Sequence, residues 1–181
     1  DTNYYYLFFT YVSFDAHDKY NQTIRVGRSL RPDGPYVDIF GQSLIDVDDS
    51  RTYGTKLVGS MLWTSYKGDK QERFSLSMPS DNTIVYDKEN DKYYFGFNAY
   101  INNNSSKTQL IINEMQFNSS GWPVVIPGHI SLIEGNNIVD HQDVAGDYKV
   151  VNQGTDNNVE FLESQYIYLS NNGKISGAYK G

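Results

Sequence analysis

The side chains best suited to acid–base or metal chemistry are carboxylates in polar stretches: Asp15, Asp18, Asp46, Asp48, Asp49, Asp81 and Asp87. Paired Asp or Glu residues can hydrolyse a glycosidic bond, one acting as acid and the other as base or nucleophile. Spacing alone selects no pair among them. Asp15-Ala16-His17-Asp18 is the cluster that joins a His to carboxylates. It falls in a loop after a strand, where functional groups collect, and an inert surface loop is the competing reading. Asp46-Val47-Asp48-Asp49-Ser50 superficially resembles a calcium loop. It lacks the glycine and the distal bidentate Glu of an EF-hand, so a solvated acidic loop is the simpler account. Asp33, Asp38 and Asp87 fit turns and are expected to be structural. No nucleophile elbow, phosphate-binding glycine loop, HExxH or Ser/His/Asp order is present.

Composition narrows the chemistry further. The chain has 181 residues, which suits one domain or a domain plus a fragment. There is no Cys, which excludes disulfides, thiolate-bound metals and a Cys nucleophile. His17, His129 and His141 are the only histidines, leaving little for a His-based metal site. Fifteen Lys and Arg against 22 Asp and Glu give a net charge of −7. Such a chain is a poor nucleic-acid partner, because phosphate contact needs clustered cations. No apolar run approaches the roughly 20 residues that span a bilayer, so no membrane partner is expected. No signal peptide is visible. The sequence opens at Asp1 rather than Met, and further sequence is expected before it. Aromatic residues make up 15% of a chain whose mean hydropathy is −0.57. Tyr and Phe suit pleated sheets, and their rings also stack on sugar faces. Composition leaves both readings open.

The elements that must position these groups read as β throughout. Tyr4 to Ser13 is a continuous aromatic and β-branched strand, and Thr23 to Arg28 alternates. Arg31-Pro32-Asp33-Gly34-Pro35 is a turn. Lys56 to Trp63 reads as one further strand. Thr83 to Tyr86 leads through the polar tip Asp87–Lys92 into Tyr93 to Ile101. Thr108 to Phe117 follows, and Trp122 to Val125 continues extended. No segment carries a capped helical period; the best candidate, Val159 to Tyr168, reads equally well as a strand. Asn3–Phe8 and Lys92–Phe97 rhyme at a spacing of about 90 residues, which suits repeated propeller units or chance. A polar stretch, Glu134 to Asp143, separates this region from three short strands at Gly146–Asn152, Val159–Leu169 and Lys174–Tyr179. Three strands are few for an independent unit.

Several motifs in order carry a family resemblance. They are Tyr4-Tyr5-Tyr6-Leu7-Phe8, Ile24-Arg25-Val26-Gly27-Arg28-Ser29, and Pro32-Asp33-Gly34-Pro35-Tyr36-Val37-Asp38. Asp81–Tyr86 running into Lys92–Phe95, and Asn118–Pro127 with its Gly-Trp-Pro-Val-Val core, continue the series. Together they resemble the latter half of glycoside hydrolase family 43, especially its endo-1,5-α-L-arabinanases. Val144–Asn152 and Leu169–Gly177 are similar to the opening of the extra C-terminal β-barrel found in some of these enzymes.

The resemblance implies an all-β chain, a partial five-bladed β-propeller of about two and a half blades followed by an incomplete β-barrel. Residues 1–133 would be the propeller portion, 134–143 a linker and 144–181 the start of the barrel. It implies a bacterial hydrolase, extracellular or at the cell surface, of arabinan or a related plant cell-wall polysaccharide, acting with inversion. The catalytic carboxylates would lie upstream of Asp1, in an N-terminal propeller half that is a required partner, and this chain alone would be inactive. Three stretches depart from the family pattern. Asp81 stands where a channel-facing His near calcium is usual, which makes it the candidate metal residue, with calcium the implied ion. Asn98 and Tyr100 replace a His and an Arg of the pocket and are the candidate sugar-binding residues, with arabinan or arabinose-containing oligosaccharides as ligand. Asn113-Glu114-Met115 stands where His-Gln-Met is usual. These departures support a second function, a non-catalytic carbohydrate-binding propeller relative. A β-rich adhesion module with no sugar role is a third.

Overall fold

A computed structural model describes residues 3–14, 20–45, 52–66, 73–102, 106–126, 144–154 and 161–179. The described residues form β-strands joined by turns, in three open sheets. No helix among them is long and apolar enough to cross a membrane. The first sheet has the order β1 (Tyr5–Phe14), β2 (Tyr20–Ser29), β3 (Thr55–Val58). The second has six strands. β10 (Leu162–Glu163) lies beside β4 (Met61–Trp63), followed by β5 (Phe74–Asp87), β6 (Lys92–Ile101), β7 (Gln109–Phe117) and β8 (Pro123–Val125). The third has the order β12 (Ile175–Gly177), β11 (Gln165–Leu169), β9 (Gly146–Val150).

The aromatic run that predicts β1 explains where the core sits. Tyr6 and Phe8 lie on one face of β1, and successive side chains of a strand alternate between faces. Phe8 meets Phe95 at a ring distance of 5.7 Å, and Tyr6 meets Phe117 at 5.2 Å. The rhyming stretches at Asn3 and Lys92 thus pack against each other between the first and second sheets. Ile24, Leu57, Val58, Met61, Phe74, Leu76, Phe95, Phe97, Ala99, Ile101 and Met115 fill the rest of the core. Each buried Phe or Leu contributes about 1.5–3 kcal/mol relative to exposure. β2 is the middle strand of its sheet, and Thr23 to Gly27 are buried. Arg25 is fully buried among them. Its guanidinium donates to Thr23 Oγ1 and to the Gly54 carbonyl and lies 5.2 Å from the Tyr11 ring.

Three sequence expectations are corrected. Lys56 to Trp63 is two strands in different sheets, β3 and β4, separated at Gly59 and Ser60. A Cβ on Gly59 would lie 2.6 Å from Cε of Lys56, a flexible side-chain end that can move aside, so the crossing does not demand glycine. Val159 to Leu169 also divides, at buried Ser164: β10 pairs in parallel with β4, while β11 belongs to the third sheet. The strand expected from Thr83 begins nine residues earlier, at Phe74. The tip at Asp87–Lys92 is the hairpin the sequence suggests, with Asp87 Oδ1 accepting from the Glu89 and Asn90 N–H groups. The turn at Arg31–Pro35 is likewise present. It has Gly34 at φ 86°, its N–H donating to the Arg31 carbonyl, and a cis Gly34–Pro35 bond. Asp15–Asp18, Asp46–Asp49 and the stretch Glu134–Asp143 lie outside the described residues.

Candidate functional site

The site is built around an interruption in β5. Its pairing with β6 shifts register twice, between Ser77 and Ser80 and again between Ser80 and Thr83. Proline cannot donate to a ladder and in strands marks edges or bulges. Pro79 lies within the first shift, fully buried. The bulges place Met78 at φ 50° and Asp81 at φ 54°, both in the left-handed region. Most side chains avoid that region because Cβ crowds the backbone, while Asp tolerates it better than most.

Asp81 is therefore neither a turn residue nor an ordinary strand residue. Its side chain is exposed, and its backbone N–H donates to Thr10 Oγ1 of β1 at 3.3 Å. The hydroxyl of Ser80 donates to Asp81 Oδ2 at 2.9 Å, and Asn98 Nδ2 makes a longer 3.4 Å contact with the same oxygen. The structure thus brings two of the three candidate residues together. Tyr100 is the third, two residues further along β6 and opposite Ser77, so it shares a face with Asn98. Both are half-buried, on the face opposite Phe97 and Ala99.

Thr10 and Ser80 were not legible as site residues. Pro79 within an otherwise alternating strand was the available signal, since it marks a bulge that re-aims its neighbours. The turn carboxylates have structural partners, as expected. Asp38 Oδ1 accepts from the Phe40 and Gln42 N–H groups. The Arg31 guanidinium holds the exposed Asp33 carboxyl below the usual range. Asn90 does the same for Asp87.

The chemistry open to this arrangement is binding. Inverting hydrolysis needs two carboxylates with room for water between them, and the site gathers one. Among the described residues, no group of three or more Asp, Glu or His side chains is placed to hold a metal. Asp81, Ser80, Thr10 and Asn98 offer the hard oxygen donors that calcium prefers, with a single negative charge. One exposed carboxylate whose Oδ2 already takes hydrogen bonds from Ser80 and Asn98 does not by itself make a calcium site, since calcium takes six to eight oxygens.

Comparison with known proteins gives a consistent picture. The profile of GH43_C, described as a C-terminal lipocalin-like domain, matches residues 132–181. An extracellular endo-α-(1→5)-L-arabinanase of Bacillus subtilis is 31% identical over 191 residues, covering all of this chain and 39% of that protein. Among solved structures, a family 43 glycoside hydrolase of Bacillus licheniformis superposes with a TM-score of 0.81 at 32% identity, over 99% of this chain and 41% of its own. The endo-1,5-α-L-arabinanase of Thermotoga petrophila gives 0.81 at 28% identity, over 99% and 40%. The chain spans about two-fifths of the length of the relatives it matches.

Proposed function

We propose that this chain is part of an extracellular bacterial glycoside hydrolase that cleaves arabinan or a related plant cell-wall polysaccharide. The observation that carries the reading is the 31% identity to an extracellular endo-arabinanase along the entire chain. On this reading the first sheet and strands β4 to β8 of the second belong to a five-bladed propeller within residues 1–133, while β10 joins that sheet from the following unit. Residues 144–181 then open a β-barrel, with 134–143 as the linker.

The reaction would proceed with inversion. One carboxylate takes a proton from water, whose oxygen attacks the anomeric carbon. A second, protonated carboxyl gives its proton to the departing glycosidic oxygen. We assign both groups to polypeptide preceding Asp1. This chain's share is binding: Asn98 and Tyr100 contact the sugar. Asp81 would face a calcium ion or its water only with ligands from outside the described residues, and such an ion would supply fixed positive charge beside the site.

Hydrolysis of linear arabinan tests the reading. The 181-residue chain should release no reducing ends above buffer, whereas the protein extended through the preceding propeller half should. Turnover by the short chain, abolished by substituting an Asp within it, would overturn the assignment. A second reading is a non-catalytic carbohydrate-binding relative, favoured by a site that joins Asp81 to Asn98 with no second carboxylate hydrogen-bonded there among the described residues. Saturable binding of arabino-oligosaccharides by the extended protein without turnover would select it.

A further inference from the structure

The three sheets meet around a cavity of about 400 Å³. Its wall takes Thr55 and Lys56 from β3, Asn118 and Trp122 from the stretch before β8, Lys149 from β9, and Gln153 just beyond that strand. Leu57, Trp122 and Val151 give it an apolar floor. Cavities of this size take small organic ligands when such a floor is joined by a few placed polar groups. None of Asp81, Asn98 and Tyr100 lines it, so it is distinct from the site on β5 and β6.

The polar side chains of the wall share one property. Thr55 Oγ1 accepts the Ile39 N–H at 2.8 Å. Asn118 Oδ1 accepts the Ser120 and Trp122 N–H groups, each at 3.0 Å. Gln153 Oε1 accepts the Gly59 N–H at 3.0 Å. Each oxygen is thus engaged by backbone, which leaves the hydroxyl proton or the NH2 group as the part that donates. Lys56 and Lys149 add ammonium groups, which have donors and no acceptor. No Asp or Glu is among the described residues that line the cavity, in a chain that carries 22 of them. A neutral sugar offers hydroxyls that donate as well as accept. A carboxylate only accepts, and its hydrogen bonds are charge-assisted. We infer that this cavity binds a sugar acid by its carboxylate, with the sugar ring against the apolar floor. That the acid is a sugar rests on the reading that the protein meets plant cell-wall polysaccharide; the preference for a carboxylate does not.

The test is titration calorimetry of the extended protein, the one assayed on arabinan, with galacturonate, galactose and acetate. These are an acid sugar, its neutral counterpart and a carboxylate without a ring. Galacturonate should bind at least about tenfold more tightly than either of the others. Two substitutions locate the binding. Gln153→Glu and Asn118→Asp each keep the oxygen that accepts from backbone and replace the NH2 group by a second carboxylate oxygen. Thermal midpoints should therefore stay close to wild type. Galacturonate should bind at least about tenfold more weakly to each variant, the loss of a hydrogen bond to a charged group. Arabinan hydrolysis should be unchanged in both, because neither residue belongs to the site at Asn98. Absence of galacturonate binding, or equal binding of galactose, would overturn the inference, and neither result needs a variant. Acetate binding as tightly as galacturonate would overturn the role of the ring. Galacturonate binding that neither substitution weakens would lie elsewhere on the protein and overturn the assignment of this cavity. A protein that binds galacturonate here but leaves arabinan intact would refute the cleavage reading alone.

Discussion

Asp81 shows how one residue can be held against its own preference. At φ 54° an L residue crowds its Cβ against the backbone, and glycine carries no such cost. Asp81→Gly should therefore leave stability within about 0.5 kcal/mol of wild type or raise it. Asp81→Val should lower it by about 1–2 kcal/mol, because a branched Cβ fits the left-handed region worst. Chemical denaturation of the three proteins measures this; a Gly variant less stable than the Val variant would count against the backbone account. Arg28 is a second residue whose chemistry is specific. Its guanidinium lies 4.1 Å from the Tyr4 ring centroid and 4.3 Å from that of Trp122, and it donates to the Ser120 carbonyl. It thereby ties the β1–β2 pair to the turn before β8. A flat guanidinium can stack on both rings, which a compact ammonium cannot do. Arg28→Lys should cost about 1 kcal/mol, read as a lower denaturation midpoint, although the charge is retained.

The β6–β7 pair shows where charge supports an element. Lys92 Nζ and Glu114 Oε2 are 3.2 Å apart, with side chains only 14% and 17% exposed, and Gln116 donates to Glu114 Oε1. The Gln116 hydrogen bond first, and then Lys92, hold the Glu114 carboxyl below its ordinary value of 4.5 despite partial burial. A carboxyl with a depressed folded-state pKa stabilises the fold fully above its unfolded value. That stabilisation is lost as pH falls through the lower folded value. Glu114→Gln should therefore cost about 0.5–1 kcal/mol at pH 7, and the gap to wild type should close below about pH 4. Thermal melts across pH would show this, and a gap independent of pH would exclude the charge as its cause. Strands such as β1, β6 and β7 were legible because aromatic and branched residues run long enough to leave no other reading. The break at Gly59 was not, since Lys56 to Trp63 is apolar on both sides of it. Its two halves part only because they find partners in different sheets, which is tertiary information. Asp81 and Asn98 could be singled out by resemblance. That they meet follows from two register shifts that no local pattern encodes.

At the scale of the whole molecule, the second sheet leaves one face uncovered. Strand register places Val85, Tyr94, Leu110, Ile112 and Val124 on the face opposite the core. Val85 is 57% exposed, Leu110 65%, Ile112 49% and Val124 48%. Isolated exposed apolar residues are ordinary; a contiguous set on one sheet marks a surface meant to be packed. β1 adds a second open feature. It is a ten-residue strand without charge or proline at the end of its sheet, and long apolar edges of this kind pair readily with other chains. Lys92 and Glu114 share this face but neutralise each other as an ion pair, so the net charge of −7 does little to protect its apolar part. The isolated 181-residue chain is therefore expected to self-associate in a concentration-dependent way. Light scattering over about a hundredfold range of concentration measures it directly. Replacing Leu110 and Ile112 together by Lys should reduce the association without lowering the denaturation midpoint, because both side chains point away from the core. A wild-type chain that stays monodisperse and monomeric throughout would mean that neither the open face nor the open edge drives assembly. A double variant that unfolds would mean that the face is already packed within the monomer.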